Sequence, residues 1–156
     1  MNNLVGLYEQ FSVWSAKLRS PFLSAVRLYW GWQFAQTGWG KLQHLDKITA
    51  FFTSLNIPAP AFNAHFVSGL EFLGGFLLIV GLGSRITALL LTGNMLVAYW
   101  TADREALFSI FSDPGKFYVA DPYTFLFASL MSLVFGAGVI SLDALFAKWR
   151  DAKAAA

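Results

Sequence analysis

Long stretches without any charged residue are the feature of this sequence that most restricts its fold. No Asp, Glu, Lys or Arg occurs between Asp121 and Asp143, between Arg85 and Asp103, or between Glu71 and Arg85. A helix that crosses a bilayer needs about 20 mainly apolar residues, and these stretches approach or reach that length. Charged residues make up only 13% of the chain, whereas a soluble domain carries about 25%. We therefore expect a membrane protein.

Four segments are predicted to cross the membrane as helices. They lie at about 22–40, 62–82, 85–101 and 123–141. The second and third are separated only by a short glycine-rich turn, in which Gly81 can end one helix and Ser84 can cap the next, so they must form an antiparallel hairpin. The predicted fold is all-α: a four-helix transmembrane bundle over 21–147, followed by a cytoplasmic tail at 148–156.

Two further segments are predicted to be helices on the membrane surface. Residues 1–20 show no basic start followed by an apolar core and a cleavage site, so no signal peptide is expected. Their apolar residues instead lie close to one helical face, which indicates an amphipathic surface helix, with a mobile tail as the alternative. Between 41 and 61, a shorter surface helix is predicted from the helical spacing of four residues, which are Ile48, Phe51, Phe52 and Leu55.

The distribution of lysine and arginine predicts the orientation of the bundle, because short cytoplasmic loops carry the excess of positive charge. With both termini in the cytoplasm, that side holds Lys17, Arg19, Arg85, Lys148, Arg150 and Lys153. The opposite side holds Lys41, Lys47, Arg104 and Lys116. The excess agrees with an even number of spans and with cytoplasmic termini.

Several classes of function are excluded by what the sequence lacks. The net charge is only +2 and no basic stripe follows a helix, so a nucleic-acid partner is not expected. The absence of cysteine excludes disulfides and iron–sulfur clusters held by thiolates. His44 and His65 fall at unmatched depths, which does not suit haem, and we predict no metal site. No self-contained enzyme motif is present.

Glu71 is the main candidate for polar chemistry inside the membrane. It falls near the middle of the second predicted span, where ionisable groups are costly and usually face the bundle interior. At about 100° per residue, Gly74 and Gly75 lie near the same face, so the carboxylate should point at a closely approaching helix. Glu71 is interpreted either as a proton acceptor or polar anchor for a ligand, or as part of a structural ion pair.

Arg27 is the predicted partner of Glu71. It shares a face of the first span with Gly31, Ala35 and Gly38, which indicates a packed interface. The hypothesis is that Arg27 and Glu71 pair across the first two spans. The alternative is that Arg27 extends toward the cytoplasmic headgroups.

Asn94, Lys41 and Arg85 are candidate ligand-binding residues. Asn94 lies in the third span on a polar face, where hydrogen bonding between helices is an alternative that needs no ligand. Lys41 ends the first span and Arg85 begins the third, so each could equally anchor its helix at the membrane surface.

The sequence resembles the DoxX family of small four-helix membrane proteins from about Arg27 to Leu145. The residues that carry the resemblance are Arg27, Gly40-Lys41-Leu42, Leu55-Asn56-Ile57-Pro58, Glu71-Phe72-Leu73-Gly74-Gly75, Gly81-Leu82-Gly83-Ser84-Arg85, Gly136-Ala137-Gly138 and Ser141-Leu142-Asp143. The family often has a proline at the position of Ala137 and an aromatic residue at that of Ile140. Arg27, Lys41, Glu71, Arg85 and Asp143 match its charged positions.

The resemblance implies a multi-pass protein of the bacterial cytoplasmic membrane. It also suggests a membrane subunit of a quinone-linked redox system similar to thiosulfate:quinone oxidoreductase. In that hypothesis Glu71 and Arg27 form a catalytic proton and quinone site, and redox partner subunits bring the electrons. The alternatives are a scaffold that recruits or stabilises partner proteins and, ranked last, a small transporter. Gln33 and Gln36 fall roughly opposite Arg27 on the first predicted span, which would fit a homo-oligomer or a partner subunit.

Overall fold

A computed structural model describes residues 2–154 and shows an all-helical chain over that range. The elements are α1 (Asn2–Gln43), α2 (Leu45–Ser54), α3 (Pro60–Val80), α4 (Ser84–Thr101), α5 (Arg104–Phe108), α6 (Pro114–Val119), α7 (Pro122–Phe135) and α8 (Leu142–Ala154). The predicted all-α class is confirmed. Within the described residues, α3 is the one helix that is both long and apolar enough to cross a bilayer, so four spans remain a prediction.

The predicted N-terminal surface helix and the first predicted span are parts of a single helix. α1 runs without interruption for 42 residues and contains Pro21 at the predicted boundary. Proline removes one helical hydrogen bond, the one that would reach the carbonyl of Lys17, but does not end the helix here. The prediction of helical structure is therefore confirmed for both segments, and the structure joins them in one continuous helix.

The predicted hairpin is confirmed by α3 and α4, and the short helix predicted between 41 and 61 is α2. α3 ends at Gly81, whose φ of 71° lies in the left-handed region that favours glycine. The predicted cap at Ser84 is wrong. Gly83 takes the N-cap position, and as a glycine it has no side chain that could bond to the helix. The amide hydrogens that begin α4 are satisfied by a residue much later in the chain.

The fourth predicted span ends early. α7 stops at Phe135 after 14 residues, because Gly136 and Gly138 adopt φ values of 76° and 74° that a helix cannot continue through. Residues 136–141 are irregular, and the chain then forms α8, which includes residues 148–154 of the predicted tail. The segment 123–141 is thus a short helix followed by an irregular segment, which corrects the prediction of one continuous span.

The two most extensive contacts between helices are those of α1 with α3 and of α4 with α7. α1 packs closely on α3 through small residues: a Cβ added to Gly31 would lie 2.9 Å from the Gly75 carbonyl oxygen, so a larger side chain would separate the helices. On the other side, α4 packs on α7 around buried apolar side chains. These include Leu91, Met95, Tyr99 and Leu126.

Candidate functional site

Glu71 on α3 is bonded by side chains from two other helices. Lys41 Nζ, near the end of α1, lies 2.7 Å from both Oε1 and Oε2 of Glu71. The Nδ2 amide of Asn94 on α4 donates to Oε1 at 3.0 Å. Glu71 is only 1% exposed, whereas the Lys41 side chain is 33% exposed. A buried carboxylate is therefore held by a cation that reaches in from the edge of the bundle and by a neutral donor.

The position of this cluster follows from the packing of α1 on α3. Gly38 lies against the backbone of Ser68 and Phe72, and a Cβ on Gly38 would approach the Ser68 carbonyl oxygen to 2.8 Å. Lys41 is three residues beyond Gly38, so it projects from nearly the same face of α1. Because the backbones approach so closely, the lysine side chain can reach the carboxylate directly across the contact between α1 and α3.

Asn94 reaches Glu71 because α3 and α4 are antiparallel. The short turn at 81–83 fixes their register, and Asn94 then stands beside the middle of α3. Leu90 lies one turn before Asn94 on the same face of α4 and lines a mainly apolar groove between the two helices, together with Thr87. That groove has a volume of about 390 Å³, and its α3 wall includes Leu70 and Gly74, which lie close to Glu71 in the chain.

The predicted Arg27–Glu71 pair is wrong, because the structure gives each residue other partners. The Arg27 guanidinium donates from Nη1 to the carbonyl oxygen of Ala137 and from Nη2 to that of Ile140, the latter at 2.6 Å. Arg27 is 3% exposed and binds the irregular segment at 136–141. Those carbonyls have no helical partner, and a guanidinium with several donors in one plane can satisfy two of them.

A second polar cluster forms where α4 begins. The Asp143 carboxylate accepts hydrogen bonds from the backbone amides of Gly83 and Ser84, at 2.7 and 2.9 Å, and so caps α4. The Asp143 amide in turn donates to the Gly81 carbonyl oxygen at 2.9 Å. Burial alone would raise the pKa of Asp143, but the two backbone hydrogen bonds and the charge of Arg27 hold it below the ordinary value of 3.8.

Sequence reasoning did not foresee this cap, although its components were visible. The residue before α4 is a glycine, which cannot cap the helix with a side chain. Asp143, a residue that can, follows the glycines at which α7 ends. Arg27 also fits tightly against the turn: its Nη1 lies 2.8 Å from the place that a Cβ on Gly81 would take. Arg27, Gly81 and Asp143 therefore lock α1, the α3–α4 turn and the start of α8 together.

Arg85 and the two histidines lie outside the Glu71 cluster. Arg85 is exposed, and its Nε lies 3.4 Å from the place that a Cβ on Gly136 would take. His44 and His65 are exposed and bond through Nδ1 to the carbonyls of Gly40 and Ala61 in their own turns. Within residues 2–154, no three His, Asp or Glu side chains gather in a way that could hold a metal ion.

These features define a helical protein with a buried carboxylate cluster that is bonded from two other helices. A model of the DoxX family matches residues 22–104, more than half of the chain, and the protein belongs to that family. The matched region contains Arg27, Lys41, Glu71 and Asn94, while Asp143 lies beyond it.

One relative is a Haemophilus influenzae protein described as uncharacterized. It is 28% identical over 130 residues, which cover 81% of this chain and 83% of the relative. No solved structure matches this chain significantly.

Proposed function

We propose that this protein is an integral membrane subunit of a quinone-linked redox system, and that the Lys41–Glu71–Asn94 cluster binds the quinone head. The observation that carries the proposal is a buried carboxylate beside a cation and an amide donor, on three different helices. Inside an apolar bundle such a group is costly, so a functional reason for it is expected.

The arrangement in the membrane is part of the proposal. Four spans, formed by part of α1, by α3, by α4 and by α7 with its irregular extension, would place both termini in the cytoplasm. Large apolar side chains that the protein leaves exposed support lipid contact on these helices. They include Trp32, Phe66, Leu73, Ile86, Leu89, Val97, Phe127 and Val134. The irregular segment is compatible with membrane depth because Arg27 satisfies two of its carbonyls.

The residues of the cluster fit the chemistry of a quinone. A bound quinone supplies two carbonyl acceptors and, on reduction, takes up two electrons and two protons. Lys41 Nζ and Asn94 Nδ2 are donors that could bind such a carbonyl, and a Glu71 oxygen could hold a proton beside it. Arg27 has no part in this site, because its guanidinium is bonded to the backbone at 137 and 140.

The route to the site would be the apolar groove between α3 and α4. Its walls include Leu73, Leu77 and Leu90, which suit an isoprenoid or other apolar tail. Since the chain has no cysteine with which to hold an iron–sulfur cluster, the electrons would come from a partner subunit.

Mass spectrometry of the protein, gently extracted from its native membrane, tests the proposal. We expect a quinone bound at about one per chain in the wild type, lost in Glu71→Gln and retained in Glu105→Gln, which changes an exposed glutamate on α5. Wild-type protein without any quinone, together with no binding of added quinone analogues in nanodiscs, would remove the redox proposal.

A scaffold is the second candidate, and one observation favours it. Both oxygens of Glu71 are bonded within the chain, so the cluster is complete as a structural ion pair without a ligand. A scaffold would co-purify with a partner protein and carry no quinone. Glu71→Gln would then weaken that assembly, and the same mass spectra would show the loss of the partner.

A further inference from the structure

The last helix, α8, has an apolar face that the rest of the described chain leaves uncovered. Leu145, Phe146 and Trp149 are 59%, 52% and 60% exposed, and none of the residues of α8 is buried. At about 100° per residue these three side chains fall on one face of the helix. An apolar face of this kind, on a helix that is too polar to cross a bilayer, needs another surface to cover it.

The charged residues of α8 occupy distinct positions relative to that face. Lys148 and Arg150 lie on its two borders, and Asp151 lies on the opposite side. Lys153, one turn beyond Trp149, has its ammonium group 3.8 Å from the centroid of the indole ring. Arg150 and Asp151 are in contact at 3.4 Å, but both side chains are more than two thirds exposed, so the pair holds Arg150 only weakly.

The same end of the molecule carries further positive charge. Val139, three residues before α8, donates its amide to Ser20 Oγ, which places the segment that leads into α8 beside the part of α1 that contains Lys17 and Arg19. Arg85 is exposed at this end, next to Gly136. The carboxylate of Asp143 already accepts the amides that begin α4.

We propose that α8 lies on the surface of the bilayer and binds anionic phospholipid, with Leu145, Phe146 and Trp149 inserted below the headgroups and Lys148, Arg150 and Lys153 among the phosphates. Lys148 and Arg150 border the apolar face, and Lys153 lies on it, one turn beyond Trp149. In helices that lie in an interface, long basic side chains of this kind extend back to the headgroups. A second copy of the chain would present the same cations, so a face-to-face dimer through α8 would bring like charges together. The excess of positive charge therefore favours lipid over a second copy.

Spin labels can test this in the full chain, because the sequence contains no cysteine and each introduced cysteine is unique. Leu145→Cys places a label on the apolar face and Ala147→Cys places one on the other side of α8. Both are reconstituted in nanodiscs of phosphatidylcholine, with and without phosphatidylglycerol. We expect the label at 145 to be more accessible to oxygen and less accessible to a water-soluble relaxant than the label at 147, with a larger difference in anionic bilayers.

The triple variant Lys148→Gln/Arg150→Gln/Lys153→Gln should shift α8 away from the surface, since each cation near an anionic membrane contributes roughly a fivefold preference. The matched control Lys47→Gln/Arg104→Gln/Lys116→Gln removes three exposed cations from other connections and should leave both labels unchanged. Equal water access at 145 and 147 in anionic bilayers would overturn the proposal. Dipolar broadening that grows with two chains per disc would overturn it in favour of a second copy.

Discussion

The ammonium nitrogen of Lys41 lies 2.7 Å from each carboxylate oxygen of Glu71, although the two side chains differ greatly in their exposure to solvent. The Glu71 side chain is 2% exposed and that of Lys41 is 33% exposed. The interior member of the pair cannot exchange its partner for water, whereas the lysine can. Loss of Lys41 should therefore be more damaging than an ordinary surface charge change, because it leaves a carboxylate buried with only Asn94 to bond it.

We expect Lys41→Met to lower the free energy of unfolding by about 3 kcal/mol, since breaking a buried pair leaves one charge uncompensated. Lys41→Met/Glu71→Met should recover most of that loss, because neither charge then remains. Denaturant titration in mixed micelles measures both. The matched cycle with Arg27→Met and Glu71→Met should be additive, because Arg27 bonds the backbone at 137 and 140 instead. Strong coupling in the Arg27 cycle would contradict the observed pairing.

The close approach of α1 and α3 predicts that alanine will destabilise the protein at Gly38 but not at Gly69. Gly38→Ala would force the added methyl group against the backbone of α3, because the Ser68 carbonyl oxygen lies 2.8 Å from its place. We expect a loss of roughly 2 kcal/mol of stability and a weaker Lys41–Glu71 contact. Gly69→Ala on α3 has open space around the new methyl group and should be neutral or stabilising by up to about 1 kcal/mol. Equal effects of the two changes would mean that the helices are not packed through Gly38.

The helices themselves could be predicted from local patterns. Apolar runs bounded by glycine and proline predicted α3 and α4 to within about two residues, and spacing alone predicted α2. The continuity of α1 was not predicted: Pro21 removes one helical hydrogen bond, which does not end a helix as long as α1. The end of α7 was missed because the hydropathy continues through Gly136 and Gly138, and only the backbone conformation shows that the helix stops.

The sequence predicted only in part which polar residues bond to one another. Glu71 was predicted to face the bundle interior from a glycine-rich face of its own helix, and the structure shows it buried; Asn94 and Lys41, which bond it, were already candidates. The choice between Arg27 and Lys41 as its partner depends on the vertical register of α1 against α3, which hydropathy does not determine. Arg27 lies fourteen residues before Lys41 along α1, or about 21 Å, and therefore meets the opposite end of the bundle.

Lysine should not be able to replace Arg27 in holding the segment at 136–141. Lysine keeps the charge but cannot bond the carbonyls of Ala137 and Ile140 from one planar group. We expect Arg27→Lys to speed amide exchange at 136–141 and at the start of α8, measured by hydrogen–deuterium exchange. Arg85→Lys changes an exposed arginine near the same segment and should have little effect. Unchanged exchange in Arg27→Lys would show that the charge alone is sufficient.

The α4 cap should make stability fall in acid. The pKa of Asp143 is below its ordinary value, because two backbone amides and Arg27 favour the carboxylate. Its contribution is therefore present above about pH 4 and is lost as the pH falls through the lower, folded-state pKa. Asp143→Asn should lose about 1 kcal/mol at neutral pH, and its deficit relative to wild type should shrink in acid. A deficit that is constant across that range would show that the charge does not matter.

Asp103 should show the opposite pH dependence. It follows α4 and is partly buried near Asp121, and burial together with that second carboxylate raises its pKa above 3.8. A raised pKa means that folding favours the protonated acid, so the stabilisation is complete below about pH 4 and is lost as the pH rises through the folded-state value.

Asp103→Asn should thus be more stable than wild type at pH 7, by less than about 1 kcal/mol because much of the group is screened by solvent. The advantage should vanish near pH 3, whereas Asp113→Asn, at an exposed aspartate in the same connection, should show none. Thermal unfolding of the three proteins between pH 3 and pH 8 distinguishes these outcomes, and an equal gain in both variants would assign the effect to general charge reduction.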